Sequence, residues 1–200
     1  MMRVKLILAS KSQARRRILE GLGIPIEAVD PGEVEEGCGE PCRVALENAR
    51  RKALKVAEGF DEGLIIGADT LISHGGGIIG KSRSRGEVAE TLRLLRGSSH
   101  RVITGLVVLD AASGRMEEGV EETVVYMREL SDDEIDLYAS IGESVGRAGG
   151  YAIQGLGALL VDRIEGCYYN VVGLPLRLLD ELLRRFGVSL LEVAANYRGL

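Results

Sequence analysis

One aspartate, Asp69, follows the apolar run Leu64-Ile65-Ile66-Gly67-Ala68, and the groups around it set the chemistry open to this chain of 200 residues. The run predicts a strand with Asp69 at its carboxyl end, where α/β proteins place ligands. A carboxylate there can hold a metal or take a proton from water. A turn aspartate bonding its own backbone has the same local sequence.

Other groups suit an anion. Leu8-Ala9-Ser10-Lys11-Ser12 runs into Arg15-Arg16-Arg17. Serines and free backbone N–H groups at a helix start receive phosphate, and arginine adds a forked contact. An N-capped helix with a solvated basic face is the plainer alternative. Lys52 and Lys81 are further cations. Glu33, Glu35, Glu36 and Glu40 share a Gly/Pro-rich loop, and one of them could join Asp69 at a hard cation. Arg147-Ala148-Gly149-Gly150-Tyr151-Ala152-Ile153-Gln154-Gly155 combines glycines that admit close approach with an amide able to read a base edge. A tight turn with incidental polar residues fits that stretch equally.

Gly75-Gly76-Gly77-Ile78-Ile79-Gly80-Lys81-Ser82 fits the pattern G-x-x-x-x-G-K-[ST] of a phosphate-binding P-loop, and Val107-Val108-Leu109-Asp110 resembles the strand-borne metal aspartate of such proteins. That mechanism needs a cradling loop and a helix starting at the lysine. Adjacent Ile78 and Ile79 favour a strand instead, and Arg83-Ser84-Arg85-Gly86 delays the helix.

The elements that must position these residues alternate between strand and helix, the pattern of an α/β fold. Strands are predicted at Val4–Leu8, Leu64–Ala68, Ile78–Ile79 after a glycine hairpin tip, Val102–Leu109, Thr123–Met127 and Gly155–Ile164. Helices are predicted at Gln13–Leu22, with Ala14, Ile18 and Leu22 inward; from Pro41 to about Glu58; and from about Arg85 to Leu95. Ser131 with Glu134 signals another helix start, and Pro175–Phe186 is amphipathic with Leu176, Leu179, Leu182 and Leu183 inward. Residues 24–40 are loop-like. One compact domain over 1–200 is the simplest organisation.

Composition narrows the partners. The net charge of -5 argues against a nucleic-acid binder, and no apolar run reaches the roughly 18–20 residues of a bilayer span. Val4–Ala9 is too short for a signal segment. Three cysteines make no disulfide framework; Cys38 and Cys42 could pair, although reduced thiols are commoner in the expected cytoplasmic setting.

Taken together, the chain resembles the Maf family of nucleotide pyrophosphatases. The resemblance is carried by Leu8–Ser12, Lys52-Ala53, Gly67-Ala68-Asp69-Thr70, Gly80-Lys81, Gly97–Gly105, Ala148–Gly155 and Tyr169–Pro175, in order over roughly 170 residues. It implies a three-layer α/β/α fold with a central mixed sheet and a deep cleft between two lobes, similar to inosine triphosphate pyrophosphatase. It also implies a homodimer, a divalent metal (Mg²⁺, with Mn²⁺ or Co²⁺ as alternatives) and attack of water at the α-phosphorus.

By the same resemblance Asp69 is the general base, and Ser10, Arg15, Glu35, Lys52 and Lys81 bind phosphate or metal, with Glu35 and Asp69 at the metal. Thr70 and Gln154 set base preference in the dTTP/UTP form. Ala14 departs from the family's Ser-Pro-Arg-Arg, standing where pyrimidine-type members carry a specificity arginine. A nucleotide-sensing regulator of cell division without turnover is the alternative function.

Overall fold

The structure, a computed structural model, describes residues 4–33, 37 and 39–197. Its strands are β1 (Leu6–Ala9), β2 (Glu27–Val29), β3 (Leu64–His74), β4 (Gly77–Ile79), β5 (Ser99–Asp110), β6 (Met116–Met127) and β7 (Val161–Glu165). Its helices are α1 (Gln13–Gly21), α2 (Pro41–Ala57), α3 (Arg85–Leu95), α4 (Asp132–Ile141), α5 (Tyr168–Val172), α6 (Leu176–Arg184) and α7 (Leu190–Tyr197). The sheet runs β2-β1-β3-β5-β6-β7, with β4 paired to β3. β1 is parallel to β2 and β3, whereas β4 and β7 pair antiparallel with β3 and β6. This mixed open sheet flanked by helices is the expected three-layer α/β/α fold.

Two compact units share these elements. The first comprises Met1–Asp69, Thr104–Glu121 and Gly173–Leu200. Its core joins Ile7, Ala9 and Ile65 with Ala49, Ala53 and Val56 of α2 and with Val107 and Leu109 of β5. Alanines and glycines are what allow α2 to lie so near the sheet. A Cβ on Gly67 would fall 2.3 Å from the Ala49 carbonyl oxygen, and one on Gly105 would fall 2.4 Å from that of Ala45. In α6, Leu178, Leu179, Leu182 and Leu183 are buried; Leu176, expected inward, is only half-buried.

The second unit comprises Thr70–Ile103 and Glu122–Val172. Its core gathers Val88, Leu92 and Leu95 of α3, Ile135 and Tyr138 of α4, and Val102, Val125 and Tyr151. Ser131 and Glu134 form the anticipated capping box, each side chain bonding the other's backbone N–H.

Some expectations are corrected. β3 does not stop at Asp69 but continues to His74, because antiparallel pairing of Ile72 with Ile79 extends the ladder past the polar residues. Gly155–Leu160 is a 3₁₀ turn, and only Val161–Glu165 of the expected Gly155–Ile164 strand is extended. Within the loop-like 24–40, Glu27–Val29 forms a short edge strand on β1. The suggested pairing of Cys38 with Cys42 involves a residue outside the described ones.

The tightness of α2 on the sheet can be measured. Gly67→Ala should cost about 1–3 kcal/mol, because the methyl meets backbone and not a movable side chain. For a chain of this length that lowers Tm by roughly 2–12 °C. Gly21→Ala, in open space at the end of α1, should leave Tm unchanged or raise it. Equal thermal shifts in the two variants would refute the close approach.

Candidate active site

In the first unit the site is built around Asp69. Alternation along β3 places Ile65, Gly67 and Asp69 on one face, the face on which α2 packs. Asn48 and Lys52, one turn apart on α2, therefore share the side that meets Asp69. Lys52 Nζ donates to Asp69 Oδ1 at 2.7 Å and to the Ala68 carbonyl at 3.4 Å. Asn48 Nδ2 donates to Asp69 Oδ2 at 2.9 Å. All three are nearly out of water, at 2% exposed for Asn48, 5% for Lys52 and 4% for Asp69. Two charges withdrawn from solvent persist only when paired and hydrogen-bonded, which is the arrangement found. Each carboxylate oxygen still has acceptor capacity beyond these bonds, since an ionised carboxylate offers about four lone-pair sites.

Ser10 leaves the sheet immediately after β1, whose Ala9 lies opposite Gly67 of β3. Its Oγ accepts from the Ser12 N–H and from Arg15 Nη1, each at 3.1 Å. Arg15 Nε donates to the Gly173 carbonyl at 2.7 Å. Ser12 caps α1 by accepting from the Arg15 N–H. The solvated-basic-face alternative is thus corrected for Arg15, which is buried with Ile18 and Leu19, while Arg16 and Arg17 are exposed. Ala14, expected inward, is half-buried beside it.

The acidic loop is divided. Glu33 pairs with Lys11 at 3.3 Å, and Glu40 caps α2 through the Cys42 and Arg43 N–H groups. Glu35 and Glu36 lie outside the described residues. Among the described residues no group of three or more His, Cys, Asp or Glu side chains is disposed around a metal position.

In the second unit Lys81 follows β4 and pairs with Ala148 in an isolated antiparallel bridge. The Ser82 N–H donates to the Arg147 carbonyl at 3.1 Å, and the Gly146 N–H to the Ser82 carbonyl at 2.6 Å. Lys81 is thereby tied to the Gly-Gly-Tyr segment rather than to a phosphate cradle. Ile78 and Ile79 are in β4, and α3 begins only at Arg85, so the P-loop is excluded. Asp110 closes the β5–β6 turn, accepting from Ser113 Oγ at 2.6 Å and from the Ala112 N–H at 3.1 Å. Those bonds hold its carboxyl below the usual range. Thr70 is half-buried in β3, and Gln154 is exposed just ahead of the 3₁₀ turn.

A family model described as Maf-like protein matches residues 5–186. The chain belongs to the Maf-like family. Its curated relatives include a dTTP/UTP pyrophosphatase of Dictyoglomus thermophilum, 44% identical over 95% of this chain and 100% of the relative. Proteins of the same description from Deinococcus radiodurans and Staphylothermus marinus are 42% and 43% identical. The first covers 92% of this chain and 94% of its own length, the second 96% and 95%.

The structure of this Maf-like chain adds residues that spacing did not flag. Asn48, whose amide bonds Asp69, is one. His100, 2% exposed, sits under the Gly-Gly-Tyr segment with Nε2 2.8 Å from the Tyr151 hydroxyl. Tyr138 donates to Glu143 Oε1 at 3.0 Å, and burial pushes its hydroxyl up to about 12. Burial likewise raises Tyr151. Among the described residues no helix is long and apolar enough to cross a membrane.

Burial lowers His100 from its ordinary 6.5 to about 4, with His74 adding a smaller like-charge effect. The folded state therefore keeps this imidazole neutral where the unfolded chain protonates it. Stability from this group is complete above the unfolded value near 6.5 and is lost as pH falls toward 4. Roughly 2 kcal/mol should disappear between pH 7 and pH 5. Urea unfolding at those two values should show that loss, and His100→Gln should remove most of it. An unchanged pH slope in the variant would show that His100 is not held neutral.

Proposed function

We propose that this chain hydrolyses nucleoside triphosphates of the dTTP/UTP class to the monophosphate and pyrophosphate, clearing surplus or modified pyrimidine nucleotides. The observation that carries the proposal is a buried carboxylate, Asp69, fixed on the sheet by Lys52 at 2.7 Å, in a chain whose full-length relatives are described as dTTP/UTP pyrophosphatases.

Asp69 orients a water molecule and accepts its proton. The water oxygen bonds to the α-phosphorus while the bond from that phosphorus to the α–β bridging oxygen breaks, and pyrophosphate leaves. Charge accumulates on the phosphate oxygens as this proceeds, and preorganised cations offset it. We assign that role to Lys52, Arg15, Ser10 and Lys81. The α1 N-terminus, with Ser10 and Ser12, supplies N–H donors of the kind that receive phosphate. Thr70 and Gln154 meet the base, and an amide can match the donor–acceptor edge of a pyrimidine. Ala14 contributes only a methyl group at the specificity position, so it adds neither charge nor stacking there.

A divalent cation fits this donor set. Mg²⁺ is commonly held by one or two carboxylates together with substrate phosphates, and Asp69 retains acceptor capacity for that use. Asp69 would hold it with phosphate oxygens, and Glu35 is the assigned second carboxylate. When bound, such a cation neutralises phosphate charge and lowers the pKa of bound water. A homodimer in the cytoplasm completes the proposal.

The test is product identity. Incubation with dTTP or UTP and Mg²⁺ should release pyrophosphate and monophosphate, and Asp69→Asn should slow turnover by roughly 10²–10⁴-fold. Orthophosphate as the sole released phosphate would reject the reaction. Tight nucleotide binding with no turnover would favour the sensing role instead.

A further inference from the structure

Gln154 lies in a stretch of chain held ahead of it by buried side chains and beyond it by the half-buried Glu143. Gly149 and Gly150 adopt φ values of 73° and 66°, a left-handed pair that turns the chain sharply. A Cβ on Gly149 would sit 2.3 Å from Ile72 Cδ1, so the turn is pressed against β3. It drives Tyr151 inward to 5% exposure, where its hydroxyl meets His100 Nε2 and the two rings pack edge-on with centroids 5.5 Å apart. His100 belongs to β5, a strand of 12 residues.

Next to Tyr151 the Ala152 N–H donates to Tyr138 Oη at 3.3 Å, and beyond Gln154 the Gly157 N–H donates to Glu143 Oε1 at 3.0 Å. Between these two anchorages Gln154 has extended backbone, and its amide makes no capping bond to the turn it precedes.

A leucine at position 100 would fill the same core without polar cost. His100 instead carries a buried Nδ1 that has no hydrogen-bond partner among the described residues. Burying such a group is unfavourable, so the Tyr151 bond is retained against a simpler packing. An apolar contact alone would let the Tyr151 ring slide; a directional bond to a strand fixes it.

We propose that His100, acting through Tyr151, is a positioning residue for base selection, holding the segment that carries Gln154 so that its amide presents donor and acceptor in one setting. This rests on the assignment of Gln154 to the base. A site built to hydrogen-bond its substrate discriminates through the placement of those polar groups, so loosening the anchor lowers discrimination before it lowers chemistry.

The experiment measures kcat and KM for UTP and GTP in the wild type and in Tyr151→Phe, His100→Leu, His100→Gln, Gln154→Ala and Tyr151→Phe/Gln154→Ala. Gln154→Ala should lower the UTP-over-GTP ratio of kcat/KM by about tenfold or more. Tyr151→Phe and His100→Leu should each lower it by about fivefold through KM for UTP, with kcat within about threefold of wild type. His100→Gln, which keeps a polar atom near the Nε2 position, should recover most of the ratio. The double variant should be no worse than Gln154→Ala alone, because the two residues act on one interaction.

A purely structural His100 would lower Tm and leave the ratio unchanged, and that result overturns the proposal. A ratio unmoved by Gln154→Ala removes the base assignment and the proposal with it. A ratio moved by Gln154→Ala but not by Tyr151→Phe or His100→Leu overturns the proposal alone. A wild type that splits neither nucleotide overturns the activity itself.

Discussion

The ammonium of Lys52 and the carboxylate of Asp69, 2.7 Å apart and almost without solvent, impose the condition that the first unit is built to meet. Either charge alone in that place would be strongly unfavourable, while the pair with its extra hydrogen bonds is tolerated. Meeting the condition requires a helix laid very close to a sheet, because a lysine must arrive with its ammonium at the carboxylate and not above it. Small residues supply that closeness: Ala45, Ala49 and Ala53 on α2 face Gly67 and Gly105 on the strands. The composition of α2 is therefore a consequence of the charge it delivers.

The second unit meets a different demand, that of fixing an irregular segment. Its devices are directional bonds: Lys81 to Ala148 through backbone, Tyr151 to His100 of β5, and Gly157 to Glu143. Ion pairs on its surface have a lesser part. Arg93 of α3 and Arg96 just after it reach Asp132 of α4, and Arg93 also reaches Asp136. These groups are largely solvated, and water and salt screen such pairs. They supplement the apolar packing of α3 on α4, where Val88, Leu92 and Ile135 are fully buried.

What the sequence revealed follows from what each signal measures. Period and capping are local, so α2, α3 and the Ser131 box were legible, as was the hairpin that displaces the P-loop alternative. β3 was read too short because Asp69, Thr70 and Ser73 interrupt its apolar run; only β4 alongside it shows that the strand continues. Gly155-Leu156-Gly157-Ala158-Leu159-Leu160 has strand-like composition, yet Gly157 is packed where a Cβ would lie 1.9 Å from the Ala152 carbonyl, and the chain coils there. Arg15 looked like one of three equivalent arginines. Its burial depends on the Gly173 carbonyl, 158 residues away, which no window along the chain can contain. Asn48 and His100 were hidden for the same reason, their partners being Asp69 and Tyr151.

Asp69 sits within a continuous ladder and not in a loop beyond it. A carboxylate anchored in that way inherits the rigidity of the sheet, whereas Gln154 occupies a connecting segment. Mutation in such connections can change their side chains while the carboxylate keeps its place. A lineage carrying this architecture can therefore vary its connecting segments by drift without disturbing the charged group that the ladder holds.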